Sequence, residues 1–93
     1  MPRTPSSSDS WESFSLHLGS RIQRERVARG LSQERVAYQA GLSRYTYQKL
    51  EKGESRPGMP ANPTVKTLLA IAQVLDLTLA ELLPRDVPDL TAR

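Results

Sequence analysis

The sequence predicts an all-α fold, a compact domain of five short helices, and three observations predict it. Apolar side chains recur at helical spacing in separate blocks. Serine, threonine or an Asn-Pro pair stands where each of the later blocks begins, and glycine closes three of them. No stretch shows the strict alternation of a half-buried strand, and there is no internal repeat.

Taken in order, residues 1–10 are proline, serine, threonine and charge without an apolar anchor, and are expected to form a flexible N-terminal arm. From Trp11 to Arg29 the pattern turns helical, with Phe14, Leu18 and Ile22 four apart on one face. Gly30 then ends the helix, after Arg26 and Arg29 in its last turns. Ser32 is placed to cap a second helix, Gln33 to Ala40, whose stripe is Val36, Ala37 and Ala40. Gly41 follows at a position that calls for a left-handed backbone.

Leu42 bridges to Ser43, the cap of a third helix that runs to Lys52 with Tyr47 and Leu50 facing inward, and Gly53 stops it. Residues 54–63 (ESRPGMPANP) carry three prolines and a glycine and read as an extended connection. Asn62-Pro63 restarts the helix, with proline at its first position and a stripe of Val65, Leu68, Ala72 and Leu75. Thr78 to Glu81 is a capping box that opens a short fifth helix through Leu83. Pro84 and Pro88 end regular structure. The domain therefore spans residues 11–84, followed by a tail at 85–93.

Length and composition narrow the function. A chain of 93 residues is one domain, too small to enclose a large active-site cavity. It has no cysteine, which removes disulfides, thiolate chemistry and cysteine-bound zinc. Its one histidine, His17, has no second histidine to share a metal with. No Ser/His/Asp set or glycine-rich phosphate loop is present, so the chain is expected not to be an enzyme and to need no cofactor or metal. Trp11, Phe14 and Met59 read as packing or partner contacts. No apolar run approaches the ~20 residues of a membrane span. The N-terminus lacks the apolar core of a secretory signal, and a cytoplasmic protein is expected.

The net charge is only +3, but it is unevenly spread. Nine basic and four acidic side chains lie between Leu16 and Arg56, whereas Pro57 to Arg93 holds three basic and four acidic ones. The first part is thus the candidate surface for a polyanion. Charge alone fits an ordinary solvated helix surface equally well, so the decision falls to the pattern between Gln33 and Leu50. Two short helices joined by a turn of about three to four residues containing glycine form a helix-turn-helix. Ala37 is small where the helices cross, Gly41 sits in the turn, and Leu42, Tyr47 and Leu50 supply the apolar contacts that set the angle.

The leading turn of the third helix is the part of such a motif that reaches base edges. Arg44 is suited to guanine O6 and N7, Lys49 to the same atoms as a point charge, and Tyr45 to a thymine methyl or a phosphate. Gln33, Ser43, Thr46, Lys52 and Arg56 are expected on the DNA backbone, Gln33 and Ser43 because they sit at helix N-termini.

With these residues in place, the chain resembles the phage repressor and Cro-type helix-turn-helix domains, the XRE-like family, over Leu18 to Leu83. The matching words are LGSRIQRERVARGLSQERVA, AGLSRYTYQKLEKGE and TLLAIAQVLDLTLAELL. The resemblance implies a five-helix repressor-like domain whose third helix enters the major groove, with base contacts on the positions of Arg44, Tyr45 and Lys49. It also implies that Arg26 and Glu51 form a structural ion pair joining helix one to the end of helix three.

Three features depart from the family: Tyr47 replaces Ile or Val, Asp76 replaces a helix-ending Gly, and the Ser55–Pro63 loop is longer than usual. Two functions are compatible with the sequence. One is a sequence-specific transcriptional regulator, a repressor acting as a homodimer on a palindromic operator. The other is an antitoxin or similar interaction module whose protein partner binds the arm, loop or tail.

Overall fold

A computed structural model describes residues 10–91. Five helices follow in order, α1 (Trp11–Ala28), α2 (Gln33–Gln39), α3 (Arg44–Lys52), α4 (Val65–Val74) and α5 (Leu79–Leu82). The expected arm at 1–10 falls outside the described residues apart from Ser10, whose hydroxyl accepts the Ser13 N–H at 3.0 Å and caps α1. Ser32, Ser43, Thr64 and Thr78 cap the other four helices in the same way, each with an extended backbone. At Thr78 the box is closed, with the Glu81 carboxylate accepting the Thr78 N–H at 2.9 Å.

Three helices end alike. The N–H of Leu31, Leu42 or Leu77 reaches back to the carbonyl of Arg26, Ala37 or Ala72, after a residue with positive φ. That residue is Gly30, Gly41 or Asp76, so aspartate takes the left-handed position (φ 58°) that a Cβ disfavours. The three leucines or their neighbours then fold onto the core.

Ile22, Val36, Tyr47, Ile71, Leu75 and Leu82 form the centre of that core, with Leu18, Ala37 and Ala72 around them. The inward Phe14–Leu18–Ile22 face of α1 and the inward Tyr47 and Leu50 of α3 are as the spacing predicts. α1 crosses α3 so closely that a Cβ on Gly19 would lie 2.5 Å from the carbonyl oxygens of Leu50 and Glu51. Trp11 stacks on Phe14 with ring centroids 5.4 Å apart, and Val87, beyond α5, packs against the core.

Four expectations need correction. The connection after α3 is a small antiparallel hairpin, β1 (Glu54–Arg56) and β2 (Met59–Pro60), rather than a strandless loop. Pro57-Gly58 makes the turn, with Gly58 at φ 81°, the third-position conformation of a turn that proline opens. Pro63 is not the first residue of α4, because Thr64 is the cap and fixes the start one residue later. Val65 is 63% exposed, and Ile71 takes its place on the buried stripe. Ala40 is the C-cap of α2 and only half-buried, so the helix is shorter than its stripe suggested.

Candidate nucleic-acid interface

α3 buries Tyr47, Leu50 and Glu51 and turns its remaining residues outward. At 3.6 residues per turn, this leaves Arg44, Tyr45, Gln48, Lys49 and Lys52 on one continuous arc. Arg44 is 61% exposed and stands 4.0 Å from the carboxylate of Glu34, a surface pair too open and distant to hold it. Tyr45 is 68% exposed, and the Lys49 ammonium lies over its ring, 4.3 Å from the centroid. The ring and the ammonium are four residues apart, so the helix itself brings them together.

At the N-terminus of α3, the Ser43 hydroxyl accepts the Thr46 N–H at 3.1 Å and donates to the Thr46 hydroxyl at 2.9 Å. Both predicted backbone-contact residues are therefore tied to each other and remain exposed. Lys52 is exposed at the other end of α3, and Arg56 is exposed on β1, beyond the helix.

α3 is fixed from beneath by the ion pair that the resemblance implied. Arg26 Nε donates to Glu51 Oε2 at 2.6 Å and Nη2 to Oε1 at 3.2 Å, while Nη1 donates to the Leu31 carbonyl at 2.9 Å. The side chains are 12% and 3% exposed. Burial pushes the Glu51 carboxyl up, but hydrogen bonds and the Arg26 charge outweigh it and hold the group below its ordinary value. The same bond to Glu51 raises Arg26. The fully buried Tyr47 hydroxyl sits beside this pair without hydrogen-bond geometry to either member. Burial first, then the neighbouring carboxylate, push its ionisation far up, so it is a neutral phenol filling the corner.

Gln33 is not a free arm at the N-terminus of α2. Its Nε2 donates to Glu51 Oε1 at 2.9 Å, and its Oε1 accepts from Gln48 Nε2 at 3.2 Å. One N–H of its amide remains for another partner. Gln48 is the residue that sequence reasoning passed over. Its signal was its position four residues after Arg44 and four before Lys52, on the same arc.

Gln23, Gln33, Gln48, Glu51 and Lys52 line a shallow groove of about 260 Å³ beside α3. A larger cleft of about 580 Å³ lies between α1 and α5 with the segment that follows it, lined by His17, Arg21 and Arg24 on one side and Glu81 and Arg85 on the other.

Comparison with known proteins bears on the family and the fold. A family model described as "Helix-turn-helix domain" matches residues 17–84. An uncharacterized HTH-type transcriptional regulator of Sinorhizobium fredii, y4dJ, is 38% identical over 65 residues, 70% of this chain and 77% of that protein. Matches to two other HTH-type regulators, from Sinorhizobium medicae and Rhizobium meliloti, take in only 40% of those proteins' length.

Among solved structures, the restriction-modification controller protein C.AhdI of Aeromonas hydrophila superposes with a TM-score of 0.63 at 33% identity, over 72% of this chain and 92% of that one. SinR, a master regulator for biofilm formation known from Bacillus subtilis and solved in complex with DNA, superposes at 0.59 with 26% identity, over 70% and 95%. No helix among the described residues is long and apolar enough to cross a membrane. On its match over residues 17–84, its five-helix fold and its relatives, the chain belongs to the helix-turn-helix family of XRE-type transcriptional regulators.

Proposed function

We propose that this chain binds double-stranded DNA with α3 in the major groove, and that it acts in the cytoplasm as a repressor, a homodimer on a palindromic operator. One observation carries the reading. Arg44, Tyr45 and Lys52, all exposed, and the half-buried Lys49 share one outward arc of a helix that a buried, bidentate ion pair holds in place. Arg44, Tyr45 and Lys49 then face base edges, while Gln33, Ser43, Thr46, Lys52 and Arg56 hold phosphates. SinR, whose fold this chain shares, is a DNA-bound regulator, which supports the reading. The reading needs neither a cofactor nor a metal, and assigns no catalysis.

A second reading, a module that also docks a protein, is favoured by a SinR structure in which that protein is complexed with SinI.

Selection of bound duplexes from a random pool tests the proposal. A palindromic consensus with half-sites about 34 Å apart is expected of a two-fold dimer. A pool that yields no consensus refutes sequence-specific binding. A single asymmetric site refutes the symmetric dimer while leaving DNA binding in place.

A further inference from the structure

α1 presents two unlike faces. Gly19 is packed on the Leu50 and Glu51 carbonyls, Arg26 holds Glu51, and Gln23 lines the groove beside α3. His17, Arg21 and Arg24 lie roughly 130–170° around the helix axis from that face. They line the cleft of about 580 Å³ against α5 and the residues after it. α1 thus stands between this cleft and α3.

The guanidinium groups of the cleft are short of partners. Arg21 Nη2 is 3.9 Å from Glu25 Oε2, but the other oxygen of Glu25 accepts from Arg29 at 2.7 Å. The Arg21 Nε–H is enclosed and has no hydrogen-bond partner. Arg24 and Arg85 are exposed and form no ion pair among the described residues. Glu81 and Asp86 are the two carboxylates of the lining, and Glu81 is committed to the Thr78 N–H at 2.9 Å. The wall opposite α1 is also fixed. Leu83 and Val87 pack against the core on either side of Arg85, and Pro84 restricts the backbone between them.

We propose that this cleft binds a small phosphorylated metabolite, its phosphate held by Arg21 and Arg24 of α1 and by Arg85 of the opposite wall. A guanidinium fork matches the paired oxygens of an oxyanion. A phosphate monoester carries three strong acceptor oxygens, one more than a carboxylate, and so suits three guanidinium groups. Ser20 adds a hydroxyl donor from α1, and Leu83 and Pro84 offer an apolar wall to the rest of the molecule. The volume falls within the ~300–1,000 Å³ of small-molecule sites. The inference stands apart from the DNA reading, because a duplex against α3 lies across α1 from the cleft.

The test uses the full chain and inorganic pyrophosphate as the probe. His17 is the only histidine, so its imidazole signals in a proton–carbon NMR spectrum report on the cleft. Pyrophosphate is expected to shift them saturably at sub-millimolar concentration. Arg24→Gln and Arg85→Gln, each checked for folding by its melting curve, are expected to weaken binding about 10- to 100-fold, the range of one hydrogen bond to a charged group. Arg44→Ala and Lys52→Ala, on the outward arc of α3, should leave it unchanged. Citrate, which offers carboxylates alone, should bind more weakly than pyrophosphate.

The proposal is overturned if pyrophosphate does not bind, or binds without moving the His17 signals. It is overturned equally if Arg24→Gln and Arg85→Gln bind as the wild type does. Loss of binding in Arg44→Ala or Lys52→Ala also overturns it, because the ion then sits on α3. Citrate binding as tightly as pyrophosphate overturns the choice of phosphate over carboxylate.

Discussion

The Arg26 guanidinium and the Glu51 carboxylate lie edge to edge, 2.6 Å apart at Nε–Oε2 and 3.2 Å at Nη2–Oε1, across 25 residues of sequence. A fork meeting a carboxylate in this way fixes orientation as well as distance. The contact ties the last turn of α1 to the last turn of α3, so it sets how the outward arc of α3 is presented.

Removing either partner should therefore act on folding. Arg26→Ala leaves a 3%-exposed carboxylate with Gln33 as its remaining donor, and a loss of about 3 kcal/mol is expected. Glu51→Ala leaves a more exposed Arg26 still bonded to the Leu31 carbonyl, and a smaller loss of about 2 kcal/mol is expected. The double variant should lose less than the sum. Urea unfolding of all four proteins checks this. Unchanged midpoints with lost base preference would instead make the pair a DNA contact.

The same pair predicts a dependence on acid. Glu51 is held below its ordinary value of 4.5, as is the capping carboxylate of Glu81, chiefly through its bond from the Thr78 backbone. A group depressed on folding stabilises fully above its unfolded value and loses that contribution as pH falls through its folded one. Melting temperature should therefore change little through Glu51 between pH 7 and about 5, then drop below about 4.5. Glu51→Gln should melt lower at pH 7 and show a shallower acid slope. Parallel slopes for the two proteins would mean that Glu51 does not supply the dependence.

Gly19 and Gly41 are needed for different reasons. A Cβ at Gly19 meets backbone oxygens of α3 at 2.5 Å, so Gly19→Ala must push the helices apart, at a cost of about 1–3 kcal/mol. Gly41 has open space around it but a φ of +74°, so Gly41→Val costs about 1–2 kcal/mol in backbone strain alone. Gly41→Asn, which tolerates that region better, should recover part of the loss, whereas no side chain should be tolerated at 19. Guanidinium unfolding of the three variants discriminates the two causes.

On DNA, Arg44 and Lys52 should behave differently although both are exposed cations of one arc. Arg44→Ala is expected to cost ~1–3 kcal/mol on the consensus duplex and to relax one base pair. Lys52→Ala should weaken consensus and random duplexes equally and lower the salt slope by about 1. Titrations at several salt concentrations on consensus, single-substituted and random duplexes decide it. Equal loss from Arg44→Ala on all three would make Arg44 a phosphate contact.

What could be read from the sequence was local. Caps at Ser32, Ser43 and Thr78, the left-handed Gly41 and the inward Tyr47 and Leu50 depend on neighbours within one or two turns, and spacing alone carries them. The Arg26–Glu51 pair was available only through the family resemblance. Gly19 looked like an ordinary helix residue because the backbone it must clear belongs to another helix. The hairpin was missed because two strands of three and two residues are too short to alternate. Gln48 was missed because its bond to Gln33 joins residues 15 apart, and nothing in periodicity reports the direction of an amide.

The hairpin has a further consequence. Its two ends meet at one hydrogen bond, from the Ala61 N–H to the Gly53 carbonyl at 2.9 Å, and both residues are buried. The Ser15 hydroxyl holds the Ala61 carbonyl at 2.8 Å and rivets this junction to α1. The chain thus enters and leaves the excursion at one anchored point, and α3 and α4 are spaced by that junction rather than by the residues between. Length in this segment is free to drift, since closing a longer surface loop adds only about 0.6 kcal/mol per doubling. A lineage of such domains can thereby acquire or lose a protrusion next to its third helix while the frame beneath stays in register.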